Sequence, residues 1–165
     1  MQDQQLQSAR IIAAALNVDC ESLPPATQKT MRAQMREAVG RNWYGPISDP
    51  SAMVQLAPSL YPIDPFALPV LLRFLRRYGQ NERSVFSFLF GGEPGGALSH
   101  VQQTGEPFAL DDLYGYANTN FDHVLTRQGE ANRWLTIKAM VAAASGTDTL
   151  TDRVLRVVGI LNLVN

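Results

Sequence analysis

The stretch Pro69-Val70-Leu71-Leu72-Arg73-Phe74-Leu75-Arg76-Arg77-Tyr78-Gly79 decides the fold class. Val70 and Leu71 are followed at helical intervals by Phe74 and Leu75, the spacing of one helix face and not the alternation of a strand. Pro69 has no amide hydrogen to donate to the carbonyl four residues earlier. The regular helix is therefore expected to begin near it, as a first-turn proline, after a turn that Asp64 caps ahead of Pro65. Arg76 and Arg77 suit the negative end of the helix dipole, and Gly79 stops the helix.

Helical spacing extends outward in both directions. Toward the N-terminus, residues 4–17 place Leu6, Ile11, Ala14 and Ala15 at near-helical intervals before Pro24-Pro25. A second amphipathic helix over 26–40 sets Met31, Met35, Ala38 and Val39 against Lys29, Arg32 and Arg36, with Gly40 as its expected C-cap. The stretch holding Tyr44-Gly45-Pro46, Asp49-Pro50, Pro58 and Tyr61-Pro62 predicts a loop-rich linker. Toward the C-terminus, Asn81 is a good N-cap for a helix holding Val85, Phe86, Phe88, Leu89 and Phe90, which Gly91-Gly92-Glu93-Pro94-Gly95-Gly96 ends. Further helices are expected over 110–117, 121–127 and 130–144, the last with Trp134, Ile137 and Val141 on one face. Ser145-Gly146-Thr147-Asp148 breaks the pattern, and Thr149 with Asp152 forms a capping-box-like start to the final helix. Only short pieces around Ile47 and Phe108 hint at strand. The expected fold class is all-α, a helical bundle, in three parts: 1–58, 59–105 and 106–165.

Composition narrows the function classes. The chain has 165 residues, 45% of them hydrophobic and 18% charged, enough for a real core and too apolar for disorder. Its 14 basic and 15 acidic residues give a net charge of -1, so any attraction to nucleic acid must come from a local cluster. A single cysteine, Cys20, excludes an internal disulfide and a cysteine-rich zinc module. Asp19 and Glu21 beside it work against a thiolate. His100 and His123 are expected at the surface or at helix ends, and no metal site is expected. The polar N-terminus carries no signal-peptide pattern, and no apolar run is long enough to cross a bilayer, which makes the cytoplasm the default location. The run from Val154 to Val164 is among the most apolar in the chain. It raises the expectation that these residues are a piece of a longer protein.

Nucleotide chemistry lacks its usual cradle. A P-loop needs a lysine after a glycine-rich loop, and the lysines Lys29 and Lys138 follow no such loop. The glycine-rich run at 91–96 follows a helix, and a helix stop is the stronger reading than a phosphate cradle. Arg83 is distinctive. An arginine at the positive end of a helix dipole costs on the order of 0.3–1 kcal/mol unless compensated. Either Glu82, or a carboxylate elsewhere in the chain, pairs with it, or a bound phosphate does.

The segment Leu60-Tyr61-Pro62-Ile63-Asp64-Pro65, the helix ending in Arg76-Arg77-Tyr78-Gly79, and Gln80-Asn81-Glu82-Arg83-Ser84-Val85-Phe86-Ser87-Phe88-Leu89 together carry a family resemblance. In that order they resemble the region after the nucleotide-binding core in large prokaryotic P-loop ATPases of the AAA+/STAND type, many of them associated with phage defence. The family usually has a histidine before the proline where this chain has Asp64. The resemblance implies that 59–105 is a helical lid with a sensor-2 element, Arg83 facing the γ-phosphate and Asn81 beside it. Residues 106–165, from Trp134-Leu135-Thr136 to the final helix, look like the start of the winged-helix-like segment that follows such a lid. ATP would then bind only with a P-loop core from the same or a neighbouring chain, and this chain would not be an enzyme alone. An alternative is a nucleic-acid-binding module using Arg73, Arg76, Arg77 and Arg83 with Arg153 and Arg156. A third is an inert helical scaffold whose apolar faces dock a partner, and an oligomer stands among the expected partner states.

Overall fold

The computed structural model describes residues 4–79, 82–127 and 129–165. It is all-α: ten α-helices and one 310 turn, with no strand among the described residues. The positions near Ile47 and Phe108 therefore form no strand. Among the described residues, no helix is long and apolar enough to cross a membrane. The chain divides into two compact units, Met1–Pro69 and Val70–Asn165.

The first unit is built on α1 (Gln4–Leu16), α2 (Pro25–Gly40), α3 (Pro50–Leu56) and the 310 turn Ala57–Leu60. Leu6, Ala9 and Ile12 from α1, Met31, Met35 and Ala38 from α2, and Met53, Ala57 and Leu60 are buried, and α3 with the 310 turn contacts both longer helices. The expected linker is thus partly helical. Pro50 is not a breaker, because it sits in the first turn behind Asp49, whose carboxylate accepts from Ala52 N at 2.9 Å. Gly40 belongs to α2 and does not cap it. The left-handed backbone falls on Asn42, at φ +56°, a conformation asparagine tolerates better than most side chains. Beyond it, Trp43 Nε1 donates to Phe66 O at 2.9 Å and the Tyr44 hydroxyl to Pro65 O, fastening the loop before the next helix.

That helix, α4 (Ala67–Tyr78), begins slightly ahead of Pro69. Asp64 prepares the start, its carboxylate accepting from Phe66 N at 2.7 Å and its carbonyl from Ala67 N at 2.9 Å. Pro69 remains in the first turn, where its missing donor leaves no helical bond unmade. There follow α5 (Glu82–Phe90), α6 (Ala97–Thr104), α7 (Asp112–Asn120), the single turn α8 (Asp122–Leu125), α9 (Ala131–Ala144) and α10 (Thr149–Val164). Helix α6 has no counterpart among the sequence expectations. The glycine run that ends α5 also starts it, with Gly96 as N-cap and Gly105, at φ +73°, as the left-handed C-cap.

Aromatic side chains form the centre of the second unit. Phe88 meets Phe108 and Tyr116 edge-on, with ring centroids 4.9 Å apart in each pair, and Phe74 meets Phe121 at 5.0 Å. Trp134, Ile137 and Val141 are buried along α9, as their spacing predicts. The start of α10 is capped one residue earlier than expected. Asp148, not Thr149, is the N-cap, its carboxylate accepting from Thr151 N at 2.8 Å and from the Thr151 hydroxyl. A carboxylate before the first helical residue reaches those donors directly.

Candidate functional site

The sequence-selected residues lie on several helices. Asn81 lies outside the described residues, as does the side chain of Arg83, which is the second residue of α5. Gly79, which follows α4, is closely packed: a Cβ on it would lie 2.5 Å from Leu75 O and 2.6 Å from Ser84 Oγ, so only glycine fits there. On α4, Arg73 and Arg76 are exposed. Arg77 donates to Glu130 at 2.7 Å and to Asn165 O at 3.3 Å. On α10, Arg153 Nε donates to Asp111 at 2.9 Å, a bond that raises the arginine's already high pKa, and Arg156 Nε donates to Asp152 at 2.8 Å. Arg156 also lies over the Tyr114 ring. Three of the arginines proposed for phosphate contact are therefore already held by carboxylates.

The glycine run at 91–96 is fastened as packing. The Tyr116 hydroxyl donates to Glu93 at 2.6 Å, Asn120 Nδ2 donates to Pro94 O at 2.8 Å, and a Cβ on Gly96 would meet Phe88 O at 2.7 Å. Burial, with the Glu93 carboxylate beside it, pushes the Tyr116 hydroxyl well above its usual pKa. His100 is less exposed than its position in the sequence suggests. Its ring meets Phe108 edge-on, and its Nε2 lies 3.4 Å from an Asp112 oxygen. Burial raises the Asp112 pKa. No sequence pattern links His100 to Asp112, because the pairing depends on how α6 lies against α7. Asp122 accepts from Lys138 Nζ at 2.8 Å and Trp134 Nε1 at 2.7 Å, and the lysine above all holds its carboxyl below the usual range. Among the described residues, no three His, Cys, Asp or Glu side chains are grouped to hold a metal ion.

The outer side of α9 and α10 is different in kind. These two helices lie against each other where Gly159 meets Ile137; a Cβ on Gly159 would come within 2.5 Å of Ile137 Cγ2. The close crossing leaves a groove of about 340 Å³ lined by Thr136, Ile137 and Met140 from α9 and by Val158, Gly159 and Asn162 from α10. Beside it, Leu150, Val154 and Val158 are 69%, 49% and 46% exposed. With Leu161 they fall within about 80° of arc on an ideal helix, opposite buried Gly159 and Leu163. The charged residues of α10, Asp152, Arg153 and Arg156, lie off this arc. The outcome is an apolar ridge beside an apolar-floored groove, with Arg133 at the end of the groove where it donates to Asn162 O at 3.4 Å. The apolar run at 154–164 was the signal for this surface; which of its residues face outward depends on the Gly159 crossing.

No protein-family model matches the chain, and neither do any curated proteins or solved structures.

Proposed function

We propose that this chain is a helical docking module whose outer α9–α10 face receives a helical segment of a protein partner. One observation carries the proposal: Leu150, Val154 and Val158 form an exposed, uncharged ridge on α10 next to the groove floored by Ile137, Met140 and Gly159. Contiguous apolar surface of this kind costs free energy in water and gains it when covered. A ridge at spacing i, i+4, i+8 beside a groove is the form in which one helix recognises another. The chemistry is burial and shape, with no reaction assigned to the chain alone. A photo-activatable amino acid placed at Val158 in the intact chain, irradiated in the cells that make it, is expected to yield a protein adduct. The same group at exposed Ala33 on α2 is expected to yield none. A folded chain that gives no adduct from Val158 overturns the assignment.

A second reading is the helical lid of an AAA+/STAND-type ATPase, with a winged-helix-like C-terminal part and ATP held on a P-loop core elsewhere. Its support is Gly79, a position only glycine fits, ahead of α5 with Arg83 in its first turn. An arginine there can stabilise charge on a transferring phosphoryl group. Reconstitution with such a core and comparison of ATPase rates for the chain and Arg83→Ala tests it; equal rates sink the lid role. The nucleic-acid reading is the weakest of the three, since Arg77, Arg153 and Arg156 would each have to leave a carboxylate to reach a phosphate.

A further inference from the structure

Resting on the docking reading, we infer that the partner of the α9–α10 face is a second copy of this chain, with the two α10 helices packed antiparallel about a two-fold axis. The ridge is nearly palindromic. In an antiparallel register centred near Arg156, Leu150 of one copy lies opposite Leu161 of the other, and Val154 lies opposite Val158. Like therefore meets like at every level: leucines at the two ends and β-branched valines across the middle. An interface that must use the same patch on both partners requires this self-complementarity, which an unrelated partner does not impose. The paired segment spans roughly 17 Å of helix.

The charges agree with the same register. Asp148 caps the N-terminal end of α10 and is exposed, whereas at the C-terminal end, by Asn162 and Asn165, Arg133 and Arg77 share the single carboxylate of Glu130 and leave one positive charge in excess. Antiparallel packing brings the Asp148 end of each copy to the Arg133 end of the other, twice by symmetry; parallel packing sets Asp148 against Asp148 and Arg133 against Arg133. Opposite charges at both ends favour the antiparallel form and disfavour the other. Arg156, at the centre of the register, lies on the far side of α10, where Asp152 holds it and Tyr114 lies beneath it, so no like charges meet on the axis. The apolar floor of Ile137, Met140 and Gly159 in each copy then borders the other copy's ridge, and four helices enclose what two leave open. The patch is small beside an obligate interface, so the association is reversible and concentration-dependent.

Sedimentation velocity on the purified chain over a concentration series is expected to show a monomer–dimer equilibrium. Val158→Asp is expected to shift it to monomer, with an unfolding midpoint equal to the parent's at dilutions where the parent is itself monomeric, and Ala33→Asp on α2 to leave the equilibrium alone. Register is tested in a Cys20→Ser background by mixing a Val154→Cys chain with a Val158→Cys chain under mild oxidation. The mixed disulfide should form several-fold faster than either homodisulfide. A chain that stays monomeric throughout, a Val158→Asp chain that still dimerises, or a Val154→Cys homodisulfide that forms fastest overturns the proposal. The photo-adduct at Val158 separates this failure from failure of the docking reading. A mass of twice the chain supports the second copy, another mass refutes it while leaving docking intact, and no adduct refutes both.

Discussion

Helices α2 and α10 have the same length, 16 residues each, and opposite outer faces. Both bury three residues, Met31, Met35 and Ala38 on one and Gly159, Ile160 and Leu163 on the other. The exposed side of α2 carries Lys29, Arg36 and Glu37, and that of α10 carries Leu150, Val154 and Val158. Inward faces of the two helices obey the same rule, that apolar side chains leave water. The difference lies outside: α2 ends its work in solvent, whereas α10 presents to solvent the residue types that solvent disfavours. Burial explains why each helix sits in its unit, and the outer face separates a purely structural helix from one with a recognition surface.

The buried faces give the largest expected effects and should not tell the helices apart. Met35→Ala on α2 and Ile160→Ala on α10, both at positions with no exposure, are each expected to cost about 2–5 kcal/mol of the stability of their unit, read from urea unfolding. A difference well beyond that spread would mean that the two interiors are not equivalent. Next comes the crossing that only α10 has. Gly159→Ala drives a methyl into Ile137 Cγ2 and is expected to cost about 1–3 kcal/mol, with Ile137→Leu, which removes that β-branched methyl, partly relieving it in the double variant. Gly40→Ala at the end of α2, where a Cβ would meet nothing within 4 Å, is expected to cost nothing.

Acid sharpens the contrast further, because α9, the neighbour of α10, is tied to α8 by a carboxylate. Lys138 first and Trp134 second hold Asp122 below its usual pKa. A carboxyl group lowered in the folded state contributes stability that is complete above its unfolded pKa and is lost as pH falls through its folded one. The urea midpoint should therefore drop across the acid range, and Asp122→Asn should flatten that part of the profile. The effect is modest because the group is largely exposed to water. Smallest of all are the outer substitutions. Val158→Asp and Ala33→Asp are each expected to change monomer stability by no more than about 0.5 kcal/mol, and they differ only in association. Equal association of the two variants would erase the distinction between the helices.

Helical periodicity and capping residues make much of this fold legible from the sequence. The faces of α1, α2, α4 and α9 follow from residue spacing alone, since a helix must turn its apolar side inward whatever it packs against. Proline and glycine were harder to read, because their meaning depends on position. Pro50 starts a helix that its neighbours made look like linker, and Gly96 starts α6 from inside a run read only as a stop. Expectations for the site failed differently. Arg153 and Arg156 look available in the sequence, but Asp111, distant along the chain, and Asp152, one turn away, hold them. The ridge itself was visible as an apolar run, yet its outward orientation follows from Gly159, whose missing side chain decides which arc of α10 rests on Ile137.

The two tryptophans have a consequence for observing the molecule. Trp43 lies in the first unit, its indole nitrogen bound to the Phe66 carbonyl, and Trp134 lies in the second, bound to Asp122. With these as the chain's only tryptophans, each unit carries one indole fluorophore, excited apart from the tyrosines, in a distinct polar setting, a neutral carbonyl in one and a charged carboxylate in the other. Replacing either with phenylalanine turns the emission of the remaining one into a local optical record, so that the order in which the units melt can be followed without a label.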